Sequence, residues 1–318
     1  MTTADSGSNP AKPATKILPR YPVYVISKGR SECCLTARFL IKDGVPFRLV
    51  VEPQEATLYS ARFGADRLLI LPFSNLGLGG IPARNWVWEH AKRSGAERHW
   101  IMDDNIDLIE RRHQTYRIPC DAGIALRCCE QFVDRYENVA IAGLNYHMFV
   151  LRTVQLPPFF LNNHVYSCLL ILNSLSQRWR GRYNEDTDLC LQVLSAGWCT
   201  VLFNAFMIYK IPTMTMKGGN TADLYKADGR LKMARSLERS WPGVVTVGRR
   251  FHRPQHVVKD AWRKFDTPLK LRPGVDLAKL PKIDEHGLQL VKLEAPKSEH
   301  APRRHPVLAG RDEAVLDR

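Results

Sequence analysis

No apolar run in the 318 residues approaches the roughly 18 to 20 that a membrane-spanning helix requires. The opening stretch, MTTADSGSNPAKPATK, is polar and rich in Pro, Ser and Thr, with no apolar signal-peptide core. Both absences lead to the expectation of a cytoplasmic protein with no membrane partner. The eight cysteines include two adjacent pairs, Cys33-Cys34 and Cys128-Cys129, but no C-x-x-C and no Cys/His cluster at zinc spacing. In a cytosolic chain such thiols are expected to be reduced and mostly buried. Two phosphate-binding signatures are missing as well. GLGG, residues 77–80, lacks the G-x-G-x-x-G spacing and does not follow the first strand, and no G-x-x-x-x-G-K-[ST] occurs. These omissions weigh against a dehydrogenase and against an ATPase. The sequence also has no internal repeat.

What the chain does have is charge of one sign. Lys and Arg number 46 against 32 Asp and Glu, a formal net charge of +14. An excess that large raises the expectation of a polyanionic partner, nucleic acid ahead of a membrane surface. The 45% hydrophobic and 25% charged content is otherwise that of a globular protein able to bury a substantial core.

Residues 1–19 read as a disordered arm, and 266–318 as a basic, proline-rich tail that wraps the surface or is partly disordered. That leaves 20–265 for the folded domain. Here short continuous apolar runs alternate with helical spacing. YPVYVISKGR is a first strand closed by Ser27-Lys28-Gly29-Arg30, and ECCLTARFLIKDG a helix stopped by Gly44. VPFRLVVEPQE is a second strand ending on Glu52 and Glu55, and DRLLILPFSN a third. ARNWVWEHAKRSG is a helix stopped by Gly95, and ERHWIMDDN a fourth strand. The second half is less regular, with strands near NVAIAGLNYHMFV, SCLLILN and CTVLFNAFMIY and helices in NEDTDLCLQVLSAGW and LYKADGRLKMARSLERSWPG. The alternation predicts an α/β fold with a mostly parallel, nucleotide-binding sheet flanked by helices. Ligands of such sheets sit outside the carboxyl ends of the strands. All four ends in the first half are polar: Ser27 to Arg30, Glu52 to Glu55, Ser74-Asn75 and Asp103 to Asn105. We expect them to converge on one site.

Four constellations bear chemistry. Asp103-Asp104-Asn105 could chelate a hard divalent cation that in turn binds a diphosphate, or could simply form an Asx-turn that ends the strand. Asn184 suits a helix cap with Glu185 and Asp186 in the first turn, and a carboxylate so held could serve as general base toward an acceptor hydroxyl. Lys217, Gly218, Gly219 and Asn220 suit an anion gripped by backbone N–H groups and a cation; a plain turn explains them equally well. GRRFHRPQH gathers Arg249, Arg250, His252, Arg253 and His256, which could be a solvated basic face or could supply a late metal ligand and phosphate contacts for nucleic acid.

Strand-end carboxylates, an R-N helix, a D-D-N and a later E-D before a helix together resemble the GT-A class of nucleotide-sugar glycosyltransferases. YPVYVISKGR, VVEPQE, IPARNWVWEHAKRSGAERHWIMDDNI, NEDTDL and GGNT are more closely similar to the TET-associated glycosyltransferases of bacteriophages, over residues 21–265. The resemblance implies a GT-A-like fold and transfer of a sugar, glucose from UDP-glucose being the leading choice. The implied acceptor is 5-hydroxymethylcytosine in phage DNA, made from 5-methylcytosine by a partner TET-like dioxygenase in the host cytoplasm. It also implies a divalent metal, Mn2+ or Mg2+. By the same similarity Asp103 and Asn105, with Asp104 close by, take the D-x-D role at metal and nucleotide. Ser27, Arg30 and Glu52 would face the nucleoside and Arg84 the diphosphate. Asp186, with Glu185 as rival, matches the base of inverting relatives, and His252, ahead of His256, matches a late metal ligand. Three readings compete: a glycosyltransferase with a non-DNA acceptor, a metal-dependent nucleotidyltransferase, and a DNA-binding module without catalysis.

Overall fold

β1 (Val23–Ile26), β2 (Arg48–Val51), β3 (Leu68–Ile70) and β4 (Arg98–Asp103) lie parallel in the order β3-β2-β1-β4. They belong to a computed structural model that describes residues 16–181, 183–211, 218–219, 229–250, 253–258 and 260–283. Lys217, Asn220 and His252, most of the expected arm and the end of the expected tail lie outside the described residues. Helices α1 (Leu35–Lys42), α2 (Ala56–Phe63) and α3 (Ile81–Arg93) connect the four strands in turn. Side chains alternate across the strands. Val23, Val25, Leu49, Val51, Trp100 and Met102 enter one core, and Tyr24, Val50 and Ile101 the other. Apolar residues on both faces are what a sheet covered on both sides demands.

Past β4 the direction changes. β9 (Cys168–Leu172) runs antiparallel between β4 and β7 (Val139–Tyr146), while β10 (Cys199–Lys210) runs parallel to β7. β5 (Ile106–His113) pairs antiparallel with β10, β6 (Tyr116–Pro119) with β5, and β8 (Phe159–Leu161) also joins β10. The sheet is therefore mixed, with mostly parallel inner strands, the arrangement of a GT-A-like fold. A parallel neighbour needs a long crossover connection. No α-helix lies between β7 and β9, and β9 returns antiparallel.

Against one face pack α1, α2 and α4 (Ala122–Val133), through Leu40, Tyr59, Phe63 and Leu126. Against the other pack α3 and α5 (Glu185–Ser195), through Val87, Trp88, Leu189 and Val193. A smaller core, Leu191, Leu194, Leu237, Val245 and Val258, fastens α6 (Gly229–Ser240) and the hairpin β11 (Val245–Arg250)–β12 (Arg253–Val258) to α5. The first part of the expected tail lies against the domain, where Leu271 bridges Tyr136 and Asn138 Nδ2 donates to Pro268 O at 2.8 Å. None of the helices among the described residues is long and apolar enough to cross a membrane.

Candidate active site

The register pairs Ile26 with Asp103, so the next residues, Ser27 and Asp104, leave the sheet side by side. The buried Ser27 hydroxyl donates to Asp104 Oδ2 (2.7 Å) and lies 2.6 Å from Tyr59 OH, while Arg30 pairs with Asp104 Oδ1. Burial pushes the Asp104 carboxyl above its ordinary value, against the pull of Arg30 and Ser27. One strand over, Lys28 Nζ donates to Glu52 (2.9 Å) and to Asn75 Oδ1 (3.2 Å), and Asn75 N donates to Glu52 Oε2 (3.2 Å). Glu55 Oε1 accepts from Gly29 N at 2.6 Å. The ends of β1, β2 and β4 and the loop after β3 thus meet on one edge.

Gly218 and Gly219 reach the same edge from almost 190 residues along the chain. Gly219 N donates to Lys28 O at 2.9 Å, and a Cβ on Gly218 would lie 2.2 Å from Gly29 O. Both have positive φ, 79° and 71°, which glycine alone adopts without strain. The expected role of the Gly219 amide, holding an anion, gives way here to a bond with a carbonyl. Backbone docks on backbone instead.

β4 delivers Asp103 to the middle of the crevice. Its Oδ1 accepts from Arg84 Nη2 and its Oδ2 from Lys210 Nζ, each at 2.8 Å. Arg84 stands in the first turn of α3, where its N–H bonds Gly80 O. The guanidinium also comes within 3.9 Å of Glu185 and 3.8 Å of Asp186, the first two residues of α5. Lys210 ends β10, and its ammonium is held further by Ser167 Oγ (2.6 Å), 5.6 Å from the Tyr146 ring. Asp186 accepts from Trp179 Nε1 at 3.2 Å. Asn184 holds the N-cap position of α5 but does not cap it as expected. Its backbone is left-handed (φ 53°), where a capping residue is extended, and its amide donates to Met233 O instead (2.8 Å).

Three carboxylates therefore face two cations, and each responds to its surroundings. Burial pushes the Asp103 carboxyl up, but Lys210 and Arg84 outweigh it and hold the group well below the usual carboxylate range. Glu185 and Asp186 lie above their ordinary values, raised by burial and, for Glu185, next by the charge of Asp186, with Arg84 pulling the other way. A carboxylate with a raised pKa holds a proton more tightly than a free one, as a general base must.

A divalent ion that travels with a diphosphate takes one or two carboxylates and completes its shell with phosphate oxygens and water. Asp104 has both oxygens committed to Arg30 and Ser27, and Asp103 both of its own to Arg84 and Lys210, so an ion on Asp103 would take the place of one of those cations. The Asp103 side chain keeps 24% of its surface exposed, and Asn105 Oδ1 is buried without a hydrogen-bond partner among the described residues. Those two fit an ion completed by its ligand. No group of three or more His, Cys, Asp or Glu able to hold a metal occurs among the described residues. His256 and Arg253 sit on β12 beside the crevice, and Arg249 and Arg250 on β11 at the same end of the hairpin.

Sequence reading did not single out Lys210, Ser167 or Trp179. Lys210 carried the available signal, a polar residue closing an apolar strand, the one that marks Asp103.

The mixed sheet, with mostly parallel inner strands flanked by helices, is that of a GT-A-like fold. The family model for TET-associated glycosyltransferases matches residues 21–219, and the chain belongs to that family. No curated protein matches it.

Proposed function

We propose that the chain moves a sugar, glucose from UDP-glucose, onto the hydroxymethyl group of 5-hydroxymethylcytosine in DNA, inverting the anomeric carbon. The observation that carries this reading is the cluster of Asp103, Glu185 and Asp186 around Arg84, at the strand-end edge of a chain with net charge +14. Ser27, Arg30 and Glu52 line the nucleoside side. Arg84 and Lys210 balance the diphosphate, and Arg84 is fixed in its charged form because Asp186, Asp103 and Glu185 outweigh burial. Asp186, with Glu185 sharing the proton affinity of the pair, takes the hydroxymethyl proton while that oxygen attacks the anomeric carbon. The bond from that carbon to the phosphate oxygen breaks, and UDP leaves with the electron pair. A divalent ion, Mn2+ or Mg2+, on Asp103 and Asn105 would supply further neutralisation of the leaving diphosphate. Arg249, Arg250 and Arg253 give salt-dependent contact with the DNA backbone. The acceptor would be produced by a TET-like dioxygenase acting on the same DNA, in the cytoplasm of the infected host.

Mass spectrometry of nucleosides from hydroxymethylated DNA, incubated with the protein, Mn2+ and a panel of nucleotide sugars, tests the reading. A hexosyl-hydroxymethylcytidine is expected, and its absence with every donor would sink the proposal. Transfer of a nucleoside monophosphate, instead of UDP release, would replace it with a nucleotidyltransferase. NMR of the product decides the stereochemistry, and retention would remove Asp186 from the role of base.

A further inference from the structure

Beside Lys210, on the β7–β10 half of the site edge, lies a cavity of about 610 Å3. Its wall is largely apolar and aromatic, built by Tyr146 at the end of β7, Met148 and Phe149 just after it, and Tyr209 on β10. Lys210 and Asn184 line it too, so the cavity adjoins both the Asp103 ion pair and the start of α5. Tyr146 is a fixed plate. Its hydroxyl lies 2.7 Å from Ser167 Oγ, its ring stacks on Tyr166 at 26°, and Phe149 lies beside it at 34°. Tyr209 and Met148 keep 40% and 50% of their surfaces exposed on the same wall. Arg230 and Arg253 also border the space.

We infer that this cavity receives the acceptor as a single nucleobase withdrawn from its stack. Tyr146, Phe149 and Tyr209 pack on the base, and Arg230 and Arg253 meet the phosphates on either side. The inference rests on the DNA reading proposed above and adds where and in what form the substrate enters. A volume of this size suits a nucleotide. His147, Gln255 and His256 add polar groups to the wall, so a heteroaromatic ring could stack on the aromatic side chains and present its polar edge to them. A pyrimidine inside a duplex cannot bring a ring substituent to a buried carboxylate, and enzymes that act on a base extrude it. Apart from Lys210, which stands between the two, the residues proposed for the donor lie at the β1–β4 half of the edge, and the cavity lies at the β7–β10 half. A hydroxymethyl group entering past Lys210 arrives where Asp186 and Asp103 face it.

The test compares full-length protein with Tyr209→Ala, Met148→Ala and Tyr209→Phe. It uses a hydroxymethylated oligonucleotide, and the same oligonucleotide with 2-aminopurine next to the target, where it loses a stacking partner when the target base is withdrawn. Tyr209 stands outside the carboxylate cluster, so release of UDP into water without DNA reports whether the donor half is intact. Tyr209→Ala is expected to raise the KM for DNA by about fivefold or more, the loss of one stacking partner, with donor hydrolysis unchanged. Tyr209→Phe restores the KM. The 2-aminopurine emission brightens on binding the unaltered protein and less with Tyr209→Ala. Unchanged KM in both alanine variants, or no brightening from a protein that glycosylates the DNA, overturns the pocket and leaves the proposed function standing. A protein that hydrolyses the donor but glycosylates no DNA takes both down.

Discussion

Around Arg84 the chain gathers Asp103, Glu185 and Asp186, and Lys210 is the second cation that balances them. The acids answer pH in opposite senses. Asp103, depressed in the fold, contributes stability above the ordinary Asp value of about 4 and loses it as pH falls through the depressed value. Glu185 and Asp186, raised in the fold, favour it while protonated, and that contribution fades as pH rises through their folded values. Asp186→Asn keeps an acceptor for Trp179 Nε1 and removes the surplus negative charge. It is expected to raise Tm at neutral pH by roughly 2–4 °C, about 1 kcal/mol, while abolishing turnover. Calorimetry at several pH values checks this, and a lower Tm would mean that Arg84 gains more from Asp186 than burial costs. In the unaltered protein the acid limb of kcat should lie above about pH 4, because the base works deprotonated and its pKa is raised. If the limb sits at or below that value, Asp186 is not the base. Asp103, Glu185 and Asp186 stood out in the sequence because strand ends and helix starts mark themselves locally, whereas Arg84 came only through the family resemblance. The commitment of Asp104 to Ser27 was not, because it depends on the register between β1 and β4.

At the scale of elements, the docking of Gly218 on Gly29 joins the segment after β10 to the turn after β1. A methyl at Gly218 meets a carbonyl oxygen and strains a positive φ, a backbone cost of about 1–3 kcal/mol. Gly218→Ala should therefore lower Tm by several degrees and weaken donor binding by about tenfold. Titration calorimetry with the nucleotide sugar measures it, and an unchanged Kd would separate this contact from the donor site. The four parallel strands and α1, α3 and α5 were legible through continuous apolar runs, helical spacing and glycine stops. α2 was not, since it follows β2 through Pro53 to Glu55 with no capping side chain to announce it. β5, β6 and β8 were hidden for another reason. They are edge or antiparallel strands whose side chains are partly exposed, so their apolar signal is diluted.

Over the whole molecule, the +14 charge is spread along the sequence, which reports its sign but not where it faces. The β11–β12 hairpin carries Arg249, Arg250 and Arg253 at one end, where Arg253 borders the cavity. If these contact phosphates, the logarithm of the DNA affinity falls linearly with the logarithm of salt concentration, and each Arg→Ala change flattens the slope by about 0.9. A slope indifferent to all three changes would place the DNA elsewhere. The reversed β9 has a different import. It separates the strands that lead to Ser27, Glu52 and Asp103 from those that border the cavity, and the 147–166 segment enters it without an intervening α-helix. Lengthening or rewriting that segment leaves the register of β1 to β4 untouched. On the proposed reading, the strand is a seam along which inheritance can cut, keeping one chassis for the sugar nucleotide while the wall facing the acceptor diversifies.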